Sequence, residues 1–413
     1  MTPRPDAPGP NQRRGPRPLL LHLTLAMLRS SVSRGTSPNW NRAWQDSSAA
    51  IIDGLRASLA SGDAEAAFSR TVVNETLRQD AALIAGIAAY RRHPWHRTLA
   101  DPPTLWEEGG SRLLDYGAGE RSAEAGPTVL FVPSLINRAY VLDLAPDHSM
   151  LRWLARQGIR PLLLDWGWPG AAERQFTLTD YVAGRLERAL GAAVGLSGGP
   201  VVLAGYCMGG TLAVAAAERR PDLVQALALL ATPWDFHAED EDRARQAAAC
   251  LPLLEPALAV AGTLPIDVLQ MLFALLDPWS VARKYRAFSR LDPNGGAATL
   301  FVALEDWLND GVPLAAPVAR TCLRAWYGEN APARGAWQIA GLPVDPGRLR
   351  LPCLVAAPAR DRIVPPGSAK ALAALIPHAR LHVPAAGHVG MVAGSRAEPE
   401  LWRPLLAWLR DGA

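Results

Sequence analysis

The segment from Val201 to Arg219 constrains this chain more than any other. An apolar run, Val201-Val202-Leu203-Ala204, meets Gly205-Tyr206-Cys207-Met208-Gly209-Gly210, and a helix-like stretch from Thr211 to Arg219 follows at once. Strand, sharp glycine-flanked turn and helix is the context of a nucleophile elbow, where the central residue has a strained backbone and its neighbours must leave room for the turn. Cys207 occupies the centre, where a serine is more usual. A second segment, Gly195-Leu196-Ser197-Gly198-Gly199, fits the letters G-x-S-x-G better. It precedes the strand, in a Gly/Pro-rich loop ending at Pro200, so Ser197 is read as a turn residue at the wrong end of any sheet.

The rest of the chain supplies such a sheet. Short apolar runs at Thr128 to Val132, Arg160 to Leu164, Val201 to Ala204, Ala226 to Leu230, Cys353 to Ala356 and Arg380 to Val383 alternate with helical stretches. That alternation predicts a parallel α/β sheet. Leu105-Trp106-Glu107-Glu108, a Gly109-Gly110 turn and Arg112 to Tyr116 predict a β-hairpin before it. Upstream, Ile51-Ile52, Leu55, Leu59, Val72-Val73, Leu77, Leu83-Ile84 and Ile87 keep helical spacing. The Pro/Arg-rich residues 1–18 predict a disordered tail. Arg13, Arg14 and Arg17 before the apolar run Leu19 to Leu28 imitate an export signal, but no small-x-small cleavage site follows and the run is too short to span a bilayer. Between the strands ending near Ala231 and starting near Pro352 lie about 120 residues rich in helix-like segments and tryptophans, too many for a plain connection. They are read as a cap inserted over the site. The expected division is a tail at 1–18, an N-terminal helical extension at 19–104, a core at 105–235, a cap at 236–350 and the rest of the core at 351–413.

Composition narrows the classes. With 413 residues, 49% hydrophobic and 20% charged, the chain can bury a large core. A formal charge of +3 gives no case for nucleic acid. Cys207, Cys250, Cys322 and Cys353 have no paired spacing, so neither a disulfide framework nor a metal site is expected. A reducing cytoplasm fits, and it would keep Cys207 a thiol.

A nucleophile needs a base and an orienting acid. The order nucleophile, acid, histidine, each on a loop at the carboxyl end of a strand, is similar to that of α/β-hydrolases. Asp361 follows Leu354-Val355-Ala356-Ala357, and His388 follows Leu381-His382-Val383 through Pro384-Ala385-Ala386-Gly387. Asp235, after the preceding strand, is an alternative acid able to reach the same histidine, whereas Asp165 is read as structural. His22, His93, His96 and His148 precede the elbow, His378 and His382 lie before or within a strand, and His237 opens the cap. A free thiol with a pKa of about 8.5 is only slightly ionised at neutral pH, so His388 must take its proton. The oxyanion donors are expected to be the backbone N–H of Met208 and that of Leu135 or Ile136, in the loop Pro133-Ser134-Leu135-Ile136-Asn137. Thiolate attack on a thioester yields another thioester, which suits transfer of the acyl group to an alcohol.

Several collinear segments then resemble the polyhydroxyalkanoate synthase family. They are Val132 to Leu144, Ser149 to Leu154, Asp165-Trp166-Gly167-Trp168-Pro169, Thr177 to Tyr181, the elbow, Thr232-Pro233-Trp234-Asp235-Phe236, Leu304 to Asp310, Arg360 to Pro365 and Gly387 to Met391. The resemblance covers the chain from Leu105 onward. It implies an α/β-hydrolase fold, with a mostly parallel sheet and a helical cap, that moves 3-hydroxyacyl groups from coenzyme A to Cys207 and joins them into a polyester. His388 would be the base and Asp361 its partner. No cofactor is implied beyond the acyl-CoA substrate. The implied partners are 3-hydroxyacyl-CoA, the growing polyester or its granule surface, a second synthase subunit and further copies of the chain. Residues 1–104 do not resemble the long N-terminal domain of the larger single-subunit synthases, which favours the shorter catalytic subunits. The alternative is a hydrolase with a Cys nucleophile, such as an esterase, thioesterase or polyester depolymerase. Tyr206 and Met208 also resemble the elbow flanks of dienelactone hydrolase, which lacks the Asn137 to Leu144 run.

Overall fold

In the computed structural model, residues 13–35, 62–120, 123 and 126–412 are described. The expectations for residues 1–12 of the tail, and for the helical spacing of Ile51, Ile52, Leu55 and Leu59, lie outside them.

The predicted alternation becomes one sheet of eight strands among the described residues. These are β1 (Thr104–Glu108), β2 (Ser111–Asp115), β3 (Thr128–Val132), β4 (Arg160–Asp165), β5 (Val201–Tyr206), β6 (Val224–Leu230), β7 (Cys353–Ala356) and β8 (Arg380–His382). Their spatial order is β1-β2-β4-β3-β5-β6-β7-β8. β1 and β2 form the expected antiparallel hairpin and β2 runs antiparallel to β4; every later pairing is parallel. Every residue of β3 and β5 is buried, which explains why these strands read as unbroken apolar runs rather than as alternations. Val132 of β3 pairs with Gly205 of β5, and Tyr206 of β5 with Leu230 of β6. The carboxyl ends of three neighbouring strands therefore finish level, and the loops carrying the candidate residues leave from one edge. That is the α/β-hydrolase architecture expected from the sequence.

Two compact units divide the chain. The first joins the described residues up to His96 with Asp277–Glu305; the second joins Arg97–Leu276 with the chain from Asp306 onward. This grouping differs from the linear division into extension, core and cap. In the first unit, Leu83, Ile87 and Tyr90 of the helix Gly62–Arg92 share a core with Ala282, Tyr285 and Phe288 of the helix Ser280–Phe288. The first three, at i, i+4 and i+7, make one stripe. Gly86, on the same stripe, allows the close approach: a Cβ there would lie 2.0 Å from the Tyr285 carbonyl oxygen.

In the second unit, the main core gathers one face of the sheet, through Leu130, Leu162, Leu203 and Leu227, together with much of the expected cap. The fully buried Trp234, just after β6, meets Trp337 edge to face at 6.1 Å, and Trp337 meets Trp326 at 5.3 Å. Phe236 packs on Trp326 at 5.5 Å and on Tyr327 at 5.1 Å. Three of these rings come from the late part of the insertion. Its tryptophans thus serve to seat it on the loop after β6.

Candidate active site

Cys207 joins the end of β5 to the helix Met208–Arg219, with φ 56° and ψ −131°. That left-handed φ is costly for a side chain with a Cβ and persists only where the surroundings fix it. Here they do. The Cys207 N–H donates to the Leu230 carbonyl at 2.9 Å, and the Gly210 N–H donates to the Cys207 carbonyl at 2.9 Å. The glycines around the sulfur are there for space. A Cβ on Gly205 would lie 2.3 Å from the Cα of Gly210, one on Gly209 2.1 Å from the Val132 oxygen, and one on Gly210 1.9 Å from Thr232 Oγ1. The elbow is therefore wedged between the ends of β3 and β6.

His388 lies in the loop after β8. Its Nδ1 is 2.7 Å from Asp361 Oδ2 in the loop after β7. The other carboxylate oxygen of Asp361 accepts the N–H groups of Ile363 at 2.8 Å and Val364 at 2.9 Å, so the buried carboxylate is held on both sides. The two loops are also joined by backbone bonds, Ala359 N–H to the Pro384 carbonyl at 2.9 Å and Arg360 N–H to the Ala386 carbonyl at 3.0 Å. Tyr206 completes the frame. Its ring lies 5.2 Å from the imidazole, and its hydroxyl donates to the His388 carbonyl at 3.3 Å.

Charge decides the protonation of this buried histidine. Burial pushes its pKa down, but the facing Cys207 sulfur and the Asp361 carboxylate, each also hydrogen-bonded to it, outweigh burial and hold the pKa up at about 10. The arrangement favours an imidazolium held between the sulfur and the carboxylate.

The other candidates have other attachments. Asp235 accepts the His237 N–H at 2.9 Å and an Asn330 Nδ2 hydrogen at 2.8 Å. His237 uses Nε2 on the Tyr327 carbonyl at 2.8 Å and places Nδ1 3.5 Å from Glu241. His382 meets the Glu400 carbonyl, and His93 the Pro293 carbonyl. Asp165 pairs with Arg112 and accepts the Gly167 N–H. Ser197 is the exposed last residue of the helix Glu187–Ser197.

Met208 is the first residue of its helix, so its N–H has no intrahelical acceptor. In the loop after β3, the Ile136 N–H donates to Ser134 Oγ at 3.3 Å. Leu135, beside it, is buried. Sequence reasoning missed Tyr327. Burial, Cys322 and then Cys207 all raise its pKa, so it stands in the field of the candidate thiolate as a neutral hydroxyl. It sits in a π-helical turn, Cys322–Gly328, of a kind that often marks functional positions, but no residue pattern announces such a turn. Among the described residues no group of three or more His, Cys, Asp or Glu side chains could hold a metal ion, and no helix is long and apolar enough to cross a membrane.

The family described as alpha/beta hydrolase fold matches residues 127–394. The chain is 31% identical over 312 residues to the poly(3-hydroxyalkanoate) polymerase subunit PhaC of Haloferax mediterranei, across 74% of this chain and 63% of that one. It is 29% identical over 317 residues to the subunit of the same name from Allochromatium vinosum, across 74% of this chain and 87% of that one. Among solved structures, MenH from S. aureus aligns over 73% of this chain and 98% of its own, at 17% identity and TM-score 0.46.

Proposed function

Because this chain belongs to the α/β-hydrolase family, and is similar over most of its core to poly(3-hydroxyalkanoate) polymerase subunits, we propose that it is an acyltransferase that builds a polyester from 3-hydroxyacyl-CoA. The observation that carries this is the sulfur at the elbow, paired with a histidine that holds a proton. A thiolate attacks the acyl-CoA carbonyl, and the tetrahedral oxyanion is met by the N–H of Met208 and that of Leu135. The C–S bond to coenzyme A breaks, CoA thiolate takes up the proton from His388, and the acyl group stays on Cys207 as a thioester.

In the second half the 3-hydroxyl of another hydroxyacyl unit attacks that thioester. His388, now neutral, accepts the hydroxyl proton while Asp361 holds the ring orientation and stabilises the imidazolium. An ester bond forms, and the Cys207 sulfur leaves as a thiolate beside its imidazolium. Exchange of thioester for thioester is nearly balanced, and ester formation from a thioester runs downhill, so the cycle proceeds without another energy source. If water replaced the hydroxyl, the same groups would release a free hydroxy acid. The relatives' designation as subunits supports a second protein as a working partner, and the insoluble product supports residence at a granule surface.

The test supplies purified protein with 3-hydroxybutyryl-CoA and longer analogues and follows CoA release together with the fate of the acyl group. High-mass polyester is the expected product. Free hydroxy acid alone would replace the acyltransferase with a hydrolase.

A further inference from the structure

The loop after β3 is gripped from two sides. On one side Gly209 of the elbow comes so close that a Cβ would lie 2.1 Å from the Val132 oxygen and 2.6 Å from the Pro133 oxygen. On the other side lies the segment 307–312 of the insertion. Trp307 Nε1 donates to the Arg138 carbonyl at 2.8 Å, and the Val312 N–H donates to the Ile136 carbonyl at 2.8 Å. The Tyr140 hydroxyl donates to Asp310 Oδ2 at 3.2 Å, and the Arg138 guanidinium lies 3.9 Å from the same oxygen. Asn137 and Gly311 pair across an antiparallel bridge. Every loop residue from Ile136 to Asn137 and Arg138, and then Tyr140, thus answers to one six-residue stretch more than 165 positions away in sequence, as the separation of 169 for Trp307 and Arg138 records.

The Ile136 peptide groups have no freedom to turn. The Ile136 N–H is committed to Ser134 Oγ and its carbonyl to Val312. The Leu135 N–H lies in the adjoining Ser134–Leu135 peptide, so a chain held at Ile136 by Ser134 and Val312 limits how far that peptide can turn from the place where the oxyanion forms. Resting on Cys207 as the acylated nucleophile, we propose that Trp307, Asp310 and Val312 are positioning residues that brace this loop so that Leu135 presents its N–H to the oxyanion. Their contribution is made only when an oxyanion exists. A donor fixed beforehand stabilises the developing charge without reorganising, whereas a loosened one must first be ordered.

That condition separates the brace from a general structural role. Acylation of Cys207 passes through an oxyanion. Alkylation of the same sulfur by iodoacetamide does not: the thiolate attacks an sp3 carbon, an S–C bond forms, and iodide leaves with the C–I electrons. The double variant Trp307→Phe, Tyr140→Phe keeps an aromatic ring at each position and removes two of the bracing hydrogen bonds. In single-turnover experiments with 3-hydroxybutyryl-CoA its acylation rate is expected to fall about tenfold, a fraction of the 100-fold or more that follows outright loss of an oxyanion donor. Its KM for acyl-CoA and its rate of alkylation should stay at wild-type values. Unchanged acylation would overturn the brace, and so would acylation and alkylation slowed together, the mark of a loosened site. Should the double variant not fold, Trp307→Phe alone is read against the same two rates. A wild-type protein whose Cys207 is alkylated but never acylated would sink the acyltransferase itself, a result distinct from either.

Discussion

Two turns of this chain share their letters and almost nothing else. Gly195 to Gly199 surrounds Ser197, and Gly205 to Gly210 surrounds Cys207. At Gly195, Gly198 and Gly199 an added Cβ would meet nothing within 4 Å. Gly198 serves there as a helix cap with φ 74°, its N–H returning to the Val194 carbonyl at 2.9 Å. At Gly205, Gly209 and Gly210 an added Cβ would lie within 2.3 Å of another atom. One set of glycines ends a helix in solvent; the other lets three elements converge on a sulfur. The comparison teaches that such a motif is a statement about crowding, which a string of letters does not carry.

Substitutions can break that contrast. Cys207→Ala has the largest expected effect: loss of turnover by about 10⁴-fold or more, with folding intact. CoA release surviving in that variant would move the nucleophile elsewhere. Asp361→Asn comes next, with turnover down by about 10²- to 10⁴-fold because the imidazole loses the group that fixes its tautomer; matched loss in Asp235→Asn would reopen the choice of acid. Gly209→Ala should destabilise the fold by about 3 kcal/mol, since backbone atoms of Val132 and Pro133 cannot yield as a side chain would. A melting temperature equal to wild type would show that the elbow is looser than its contacts state. At the small end, Ser197→Ala and Gly199→Ala should each stay within about 0.5 kcal/mol of wild type and leave turnover alone.

The pH dependence sharpens the same picture. His388 holds its proton up to about pH 10 in the folded protein, against an ordinary histidine value near 6.5. A raised folded-state pKa stabilises fully below the unfolded value, and that contribution is lost as pH rises through the folded one. Melting temperature followed from pH 6 to 10.5 should therefore decline between about pH 6.5 and about pH 10, and Cys207→Ala, which removes a major raising charge, should flatten the decline. Parallel curves would separate the histidine from the sulfur.

Much of the site was legible because it rests on chain order and strand ends. Cys207 and Asp361 each follow a buried strand and His388 follows the exposed edge strand β8, and parallel pairing brings such ends to one edge. The acid stayed open between Asp235 and Asp361 since β6 and β7 are neighbours and both residues leave from the same edge. In the structure His388 Nδ1 faces Asp361 Oδ2 at 2.7 Å while Asn330 bonds Asp235, and nothing near Asp235 in sequence points to a residue 95 positions on. The choice between Leu135 and Ile136 turns on the Ser134 hydroxyl, a local bond with several possible partners in the sequence. The insertion was visible as a long gap between strands. Its division between two compact units was not, because the contact of Gly86 with Tyr285 depends on a missing Cβ, and absence leaves no periodic signal.

The crowding at Gly205, Gly209 and Gly210 also bears on descent. A lineage carrying this elbow cannot drift at those positions, nor widen the turn, without rebuilding the ends of β3 and β6 together. The side-chain atom of residue 207 is under no such embargo: sulfur and oxygen sit on the same Cβ and ask the backbone for the same φ. The fold thus leaves its chemistry one substitution away from change while holding its architecture nearly fixed, and new reactions on this scaffold are reached more readily by exchanging the reacting atom than by moving it.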